Sequence, residues 1–378
     1  MRSSPKVLIL TGSYGSGHLE VTRALIEQLK KRGITDVVTS DLFYEAHPIL
    51  TKFTKYLYIK SFSKGKRIYG FFYYNSDSRL TEYRIDRIID TYGYMRLNQI
   101  MKNNNFDVVI NTFPMQVFPI YKKKSGQKIP FVNVLTDFCL HTRWVSHEID
   151  HYFVSCEGLK EELENVGISR KKITISGIPI KEQFYQQRGK KQYDLFQLDR
   201  EKKTVLISAG TFGVLTNIPD IVSSIKERLN TQVVVVCGKN KALYETLEKQ
   251  FQDDSNVHIF GFVTEMAALM TLADVMVTKP GGISLSEAIA VKVPLVLTPA
   301  VPGQERDNAN LFEREGMAIK TNQEEDITPA IIQLLNQPSL RNNLIGNLEK
   351  NFHPHAANQI IEQTLELAGI TEKGSIRS

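Results

Sequence analysis

Twice along its 378 residues the chain repeats one rhythm, a short apolar segment followed by a longer amphipathic one. The first set of short segments falls at residues 6–12, 37–41, 107–112, 130–137, 151–156 and 172–177. The second falls at 204–210, 232–238, 256–262, 274–278, 294–299 and 317–321. Segments that are apolar on every position, and rich in β-branched residues, suit strands buried on both faces. Strands alternating with helices imply parallel sheets covered on each side. The polar run 185–192 (YQQRGKKQ) separates the two sets and reads as a linker. The expected fold is α/β, two doubly wound domains facing a cleft. The boundaries are an N-terminal domain over 1–180, a C-terminal domain over 181–355, and a closing helix and tail over 356–378.

Charge divides the chain at the same place. Residues 1–190 carry 29 Lys+Arg against 18 Asp+Glu, a net of +11, whereas residues 191–378 carry 18 against 23, a net of −5. A basic half suggests contact with a polyanionic surface, either membrane or nucleic acid. Cys139, Cys156 and Cys237 are odd in number and form no C-x-x-C pair, which fits reduced thiols rather than a disulfide framework or zinc site. No apolar run reaches the ~18–20 residues that span a bilayer. Residues 7–10 stop too soon for a signal sequence, so the expected location is the cytoplasm.

The segment 279–288 (KPGGISLSEA) carries the most chemistry. A buried strand runs into Gly281 and Gly282, which allow a sharp turn and close approach of a ligand. A helix beginning near Ile283 and Ser284 then offers free N–H groups and its positive end to an anion. Glu287 lies beyond that anion, where its two oxygens suit the paired hydroxyls of a ribose. A diphosphate joined to a ribose is the ligand this pattern suggests. Gln304 and Glu305 follow the next strand, and an amide with a carboxylate suits the hydroxyls of a sugar. Gly210, Thr211 and Gly213 after the domain's first strand are candidates for further phosphate contacts, and Phe262 and Val263 for holding a base. There is no Asp-x-Asp pair to hold a metal-bound diphosphate, so no cofactor is expected.

A second glycine turn, 11–18 (TGSYGSGH), follows the first strand of the chain. It lacks the Lys-Ser/Thr of a P-loop, the third glycine of a dinucleotide fingerprint and the framed serine of a hydrolase elbow. What remains is an imidazole, His18, at a helix start. It either caps the turn or serves as a base, and the helix end would lower its pKa and keep it neutral. Asp137 and His141 follow another strand of the same half. Asp137 either caps the loop or assists His18.

Residues 52–74 place Lys52, Lys55, Lys60, Lys64, Lys66 and Arg67 among aromatics that include Phe62, Phe71 and Phe72, with no acid. The composition fits attachment to an anionic membrane surface. Stacking on single-stranded nucleic acid, or a helix with its aromatics turned to the core, would use the same residues. A sugar-nucleotide site in the same chain favours membrane, so no nucleic acid partner is expected.

Together, residues 12–18, 111–114 (NTFP), 136–141 (TDFCLH), 279–282 with Glu287, and 302–305 (PGQE) resemble glycosyltransferase family 28. The likeness is to its diacylglycerol glucosyltransferases and the related galactolipid synthases. The resemblance implies a GT-B fold of two Rossmann-like domains. It implies UDP-glucose as donor, diacylglycerol and glucosyl-diacylglycerol as acceptors, and a place on the cytoplasmic face of the cell membrane. The products would be membrane glycolipids and a lipoteichoic acid anchor. By residue, it implies Glu287 on the ribose, Gly281 and Gly282 on the diphosphate, Gln304 and Glu305 on the sugar, and His18 as base or acceptor organiser. Gly17 is assigned to the donor, Tyr14 and His141 to the acceptor side. A UDP-sugar epimerase or a non-catalytic UDP-sugar sensor are the alternatives on the same scaffold.

Overall fold

The structure, a computed structural model, describes residues 4–13, 15–48, 51, 85–186, 192–210 and 217–370. Two compact units emerge, one comprising residues up to Glu182 together with those from His353 onward, the other Gln183–Phe352.

The first unit holds β1 (Val7–Leu10), β2 (Val37–Ser40), β3 (Val108–Asn111), β4 (Phe131–Val134), β5 (His151–Val154) and β6 (Ile173–Ile175). They form one sheet in the order β2-β1-β3-β4-β5-β6, every pair parallel. The second unit holds β7 (Thr204–Ser208), β8 (Gln232–Val236), β9 (Val257–Phe260), β10 (Val275–Thr278), β11 (Leu295–Leu297) and β12 (Ala318–Lys320). Its sheet runs β12-β11-β10-β7-β8-β9, again wholly parallel. All twelve expected strands are present. The central ones are buried along their whole length, as β1, β3, β4, β8 and β10 show. Removal of these side chains from water on both faces is what favours the parallel arrangement.

Strand order reverses once in each sheet. In the first, β2 and β3 lie on opposite sides of β1. In the second, β8 and β10 lie on opposite sides of β7. Connections leaving neighbouring strands in opposite directions open a crevice at the strands' carboxyl ends, and ligands of doubly wound proteins bind there. Polar residues appear where the apolar strands give out. Asn111, at the end of β3, donates from Nδ2 to Asn133 Oδ1 at 2.8 Å, and Asn133 donates in turn to the Trp144 carbonyl at 2.9 Å. Asn111 Oδ1 accepts from the Phe113 amide at 3.3 Å, which fixes the chain as it leaves the strand.

The last long helix, Ala356–Leu367, belongs to the first unit and packs on the helix Ser16–Lys31. Gln28 and Arg32 both donate to Asn358 Oδ1, at 2.7 and 2.8 Å. The linker residues 187–191 and the basic aromatic segment 52–74 lie outside the described residues. Among the described residues no helix is long and apolar enough to cross a membrane.

The Asn111–Asn133 pair is buried, so removing one partner leaves the other unsatisfied. Asn133→Ala is expected to cost about 1–3 kcal/mol, read from the shift in urea unfolding midpoint against wild type.

Candidate active site

At the crevice of the first sheet, β1 ends at Leu10 and the helix Ser16–Lys31 begins, with His18 in its first turn. His18 Nδ1 lies 2.8 Å from the Thr112 carbonyl oxygen and 3.0 Å from Thr136 Oγ1. A carbonyl only accepts, so Nδ1 carries the ring proton and donates it. Nε2 is therefore left with the lone pair. The Thr112 carbonyl is itself held in place. Thr112 donates to Leu10 O through its amide at 2.9 Å and through Oγ1 at 3.2 Å. Behind the ring, the Thr22 hydroxyl donates to the His18 carbonyl at 2.8 Å and lies 3.1 and 3.0 Å from the hydroxyls of Thr11 and Thr112.

Phe113 packs edge-on to the imidazole, ring centroids 4.9 Å apart. It can do so because residue 12 is glycine. A Cβ there would stand 2.4 Å from Phe113 Cδ2. Asp41 anchors the loop from the next strand, its Oδ2 accepting from the Ser13 amide at 2.8 Å. Its Oδ1 accepts from the Tyr44 amide at 3.1 Å and caps the helix Leu42–Ala46. Some of the His18 surface still reaches solvent, but protein surrounds most of the ring. That desolvation pushes its pKa down to about 4, against the opposing pull of the Thr112 hydrogen bond and of the Asp41 charge. The imidazole is neutral at physiological pH.

Sequence reading picked out His18 but missed what orients it. Thr112 acts through a backbone carbonyl, which carries no side-chain signature. Asp41 carried one, an N-cap residue ahead of an apolar stretch. The contacts on Nδ1 come from Thr112 and from Thr136, the neighbour of Asp137, whose own carbonyl accepts from the Ser155 hydroxyl at 3.0 Å. His141 is buried and caps the short helix Thr142–Trp144, its Nδ1 accepting from the Arg143 amide at 3.2 Å. Gly17 lies in the first helical turn beside His18. Tyr14, Lys60, Phe62, Lys64, Lys66, Arg67, Phe71 and Phe72 lie outside the described residues.

The crevice of the second sheet lies between the ends of β7 and β10. After β10, Lys279 and Pro280 lead to Gly281, whose amide donates to the Lys279 carbonyl at 2.9 Å in a tight turn. Gly281 then caps the helix Gly282–Val291, and among the described residues no side-chain hydrogen bond caps this helix start. Ser286 folds its hydroxyl back onto the Gly282 carbonyl at 2.8 Å. Glu287 follows one turn in, half-buried. The helix Gln304–Arg314 starts nearby after Gly303, which takes φ 109°. Its buried Asn308 donates to the Pro280 carbonyl at 3.1 Å and so ties the two helix starts together. Glu305 Oε1 meets Lys279 Nζ at 2.7 Å.

Gly210, at φ 72°, lies two residues past β7, beside the Lys279 side chain. Thr211 and Gly213 lie outside the described residues. Phe262 stands exposed after β9 and Val263 is half-buried beside it. Lys279 and Asn308 are the residues of this crevice that sequence reading did not assign. Among the described residues no cluster of His, Cys, Asp or Glu could hold a metal ion.

Two doubly wound units, each with a glycine turn at its switch point, are the architecture of the GT-B fold. The chain matches the monogalactosyldiacylglycerol (MGDG) synthase family over residues 18–180 and the glycosyl transferases group 1 family over 191–351. It is 40% identical to the processive diacylglycerol beta-glucosyltransferase of Bacillus licheniformis, over 96% of this chain and 94% of that one. With the enzyme of the same name from Bacillus subtilis it shares 39%, over 97% and 96%. This chain belongs to the family of the processive diacylglycerol β-glucosyltransferases. Two distant structures share the fold. Acinetobacter baumannii MurG gives a TM-score of 0.61 at 14% identity, covering 96% of this chain and 99% of that one. The Staphylococcus aureus MnaA–UDP structure gives 0.64 at 13%, covering 99% and 100%.

Two outcomes test the first crevice. Gly12→Ala drives a methyl group into Phe113, so overpacking is expected to cost about 1–3 kcal/mol and to displace the His18 ring. Thermal melting and activity of this variant should fall together. Between the unfolded value of 6.5 and the folded value of about 4, only the unfolded chain binds a proton at His18. His18 therefore subtracts from stability as pH falls through that window and has no effect above it. His18→Gln should flatten the dependence, checked by urea unfolding at pH 4.5, 5.5 and 7.5.

Proposed function

We propose that the chain transfers glucose from UDP-glucose to the free hydroxyl of diacylglycerol with inversion at the sugar carbon, and then to glucosyl-diacylglycerol. One observation carries the chemical part of this reading, the proton held on His18 Nδ1 by the Thr112 carbonyl. It leaves Nε2 as a lone pair at a binding crevice, ready to accept a proton. The relatives, processive diacylglycerol beta-glucosyltransferases by name, support the acceptor and the sugar.

In the proposed reaction the acceptor oxygen attacks the anomeric carbon from the face opposite UDP. A bond forms between that oxygen and the carbon, and the bond from the carbon to the β-phosphate oxygen breaks. Its electron pair leaves with UDP, while the acceptor proton passes to His18 Nε2. The positive end of the helix Gly282–Val291 favours the departing diphosphate. Glu287 is assigned to the ribose, Gln304 and Glu305 to the sugar, and Asp137 to assistance at the acceptor.

A pKa near 4 has two consequences. It keeps the lone pair available across the physiological range, yet it makes the imidazole a weak base. The acceptor oxygen becomes strongly acidic only as its bond to carbon forms, so a weak base suffices at that moment. Asp41 favours the imidazolium that results. The acceptor lies in a bilayer, and the basic aromatic residues of 52–74 are assigned by composition to an anionic membrane surface. Peripheral attachment to the inner face of the cell membrane follows from that reading. An epimerase shares the fold but would use neither this segment nor a lipid.

The decisive assay incubates purified protein with UDP-glucose and vesicles containing diacylglycerol and anionic lipid. β-Glucosyl-diacylglycerol is expected, followed by diglucosyl lipid. UDP-glucose without lipid should stay unchanged, and epimerised nucleotide sugar would overturn the assignment. His18→Ala is expected to slow transfer about 10²–10⁴-fold with little change in UDP affinity. Undiminished turnover would remove His18 from the role of base.

A further inference from the structure

Lys279 stands where three element ends converge in the second unit. Its aliphatic stem runs over Gly210, just past the end of β7, where a Cβ would lie 3.5 Å from Lys279 Cε and 3.6 Å from Cδ. On its other side a Cβ on Gly281, the cap of the helix Gly282–Val291, would lie 4.0 Å from the same Cε. Its ammonium reaches Glu305 Oε1 in the first turn of the helix Gln304–Arg314. Two helix starts face this point, and each places the positive end of its dipole there. An ammonium between them adds to the positive potential there, and the Glu305 carboxylate offsets part of it. The distances at 210 and 281 are ordinary van der Waals ones, so the stem lies against both turns without crowding either.

Resting on the donor reading above, we propose that Lys279 is the cationic partner of the donor diphosphate and that Glu305 is its counterion only while the site lacks donor. When UDP-glucose enters, the ammonium turns from the carboxylate to the phosphate oxygens. Glu305 is thereby freed to accept hydrogen bonds from the sugar hydroxyls. The pair is partly buried, its side chains about 32% and 15% exposed, so the exchange depends on each group finding a new partner, the ammonium on phosphate oxygens and the carboxylate on hydroxyl donors. A diphosphate offers more charge than one carboxylate and more acceptor oxygens. The exchange makes recognition of the sugar conditional on the phosphates. Uridine or a free sugar alone leaves Glu305 engaged, whereas the complete donor satisfies both groups. As the sugar leaves, the ammonium also neutralises charge growing on the β-phosphate oxygen.

The test compares Lys279→Met, Lys279→Arg, Glu305→Gln and the Met/Gln double variant by calorimetry with uridine, UDP and UDP-glucose. Transfer to diacylglycerol vesicles is measured in parallel. Lys279→Met should weaken UDP binding by roughly tenfold to hundredfold while leaving uridine binding within about twofold of wild type. Lys279→Arg should restore most of the loss. Glu305→Gln should bind UDP as tightly as wild type or several-fold more tightly, yet turn over UDP-glucose slowly. In the double variant that gain for UDP should vanish, since no ammonium remains to be released. Equal losses for uridine and UDP in Lys279→Met would mark a structural role and overturn the proposal. So would an unchanged ratio of uridine to UDP affinity. Wild-type protein that binds UDP in this pattern but fails to glucosylate diacylglycerol would overturn the acceptor reading and leave the Lys279 assignment standing.

Discussion

Parallel strands leave all their carboxyl ends on one edge of the sheet, and the chemistry of this protein depends on where the strand order reverses along that edge. Between β1 and β3 the reversal brings the helix start carrying His18 against the chain leaving β3. The Thr112 carbonyl then faces the ring nitrogen at 2.8 Å. Between β7 and β10 it brings Gly210 beside Lys279 and the glycine-capped helix start. A strand order without β1 beside β3, or without β7 beside β10, would part these residues without altering one of them. The buried apolar strands stabilise the sheets, and the reversal turns a stable sheet into a site.

The two crevices use opposite electrostatic means. In the first, desolvation keeps a titratable group neutral, and a backbone carbonyl decides which nitrogen stays bare. In the second, two helix starts and an ammonium gather positive potential, and a carboxylate moderates it. In the proposed reaction the first crevice supplies a neutral base and the second a cationic holder for the diphosphate. Glycine serves both in a different way. At 12 it admits the Phe113 ring, and at 210, with φ 72°, it takes a backbone conformation that a side chain would strain.

Much of this was legible in the chain itself. Residues such as 232–236 (QVVVV) announce a strand buried on both faces, and the two glycine turns announce close backbone approach. Motif resemblance then supplied the family. The missing parts were interactions between residues far apart in sequence. His18 and Thr112 are 94 positions apart, and Gln28 meets Asn358 across 330. No local pattern encodes such a pairing, because it follows from strand order and from helices returning to the same unit. Lys279 was hidden for another reason. It lies inside the motif itself, where the glycines beside it explain the turn, and its partner Glu305 is explained by the sugar. Only their 2.7 Å contact shows that each constrains the other.

In the proposed reaction the depressed pKa of His18 sets the terms of the base step. A histidine with its ordinary pKa near 6.5 would be a stronger base but partly protonated in mildly acidic conditions. Burial exchanges basicity for availability. That exchange is favourable only if the acceptor proton becomes acidic late, as the new bond to carbon forms, because a strong early base is then unnecessary. It also requires the imidazolium, once formed, to be tolerated in a desolvated pocket. Asp41 meets this second requirement from a position where it also holds the glycine loop through Ser13 and caps the neighbouring helix through Tyr44. One carboxylate thus links the shape of the loop to the charge the loop must accept.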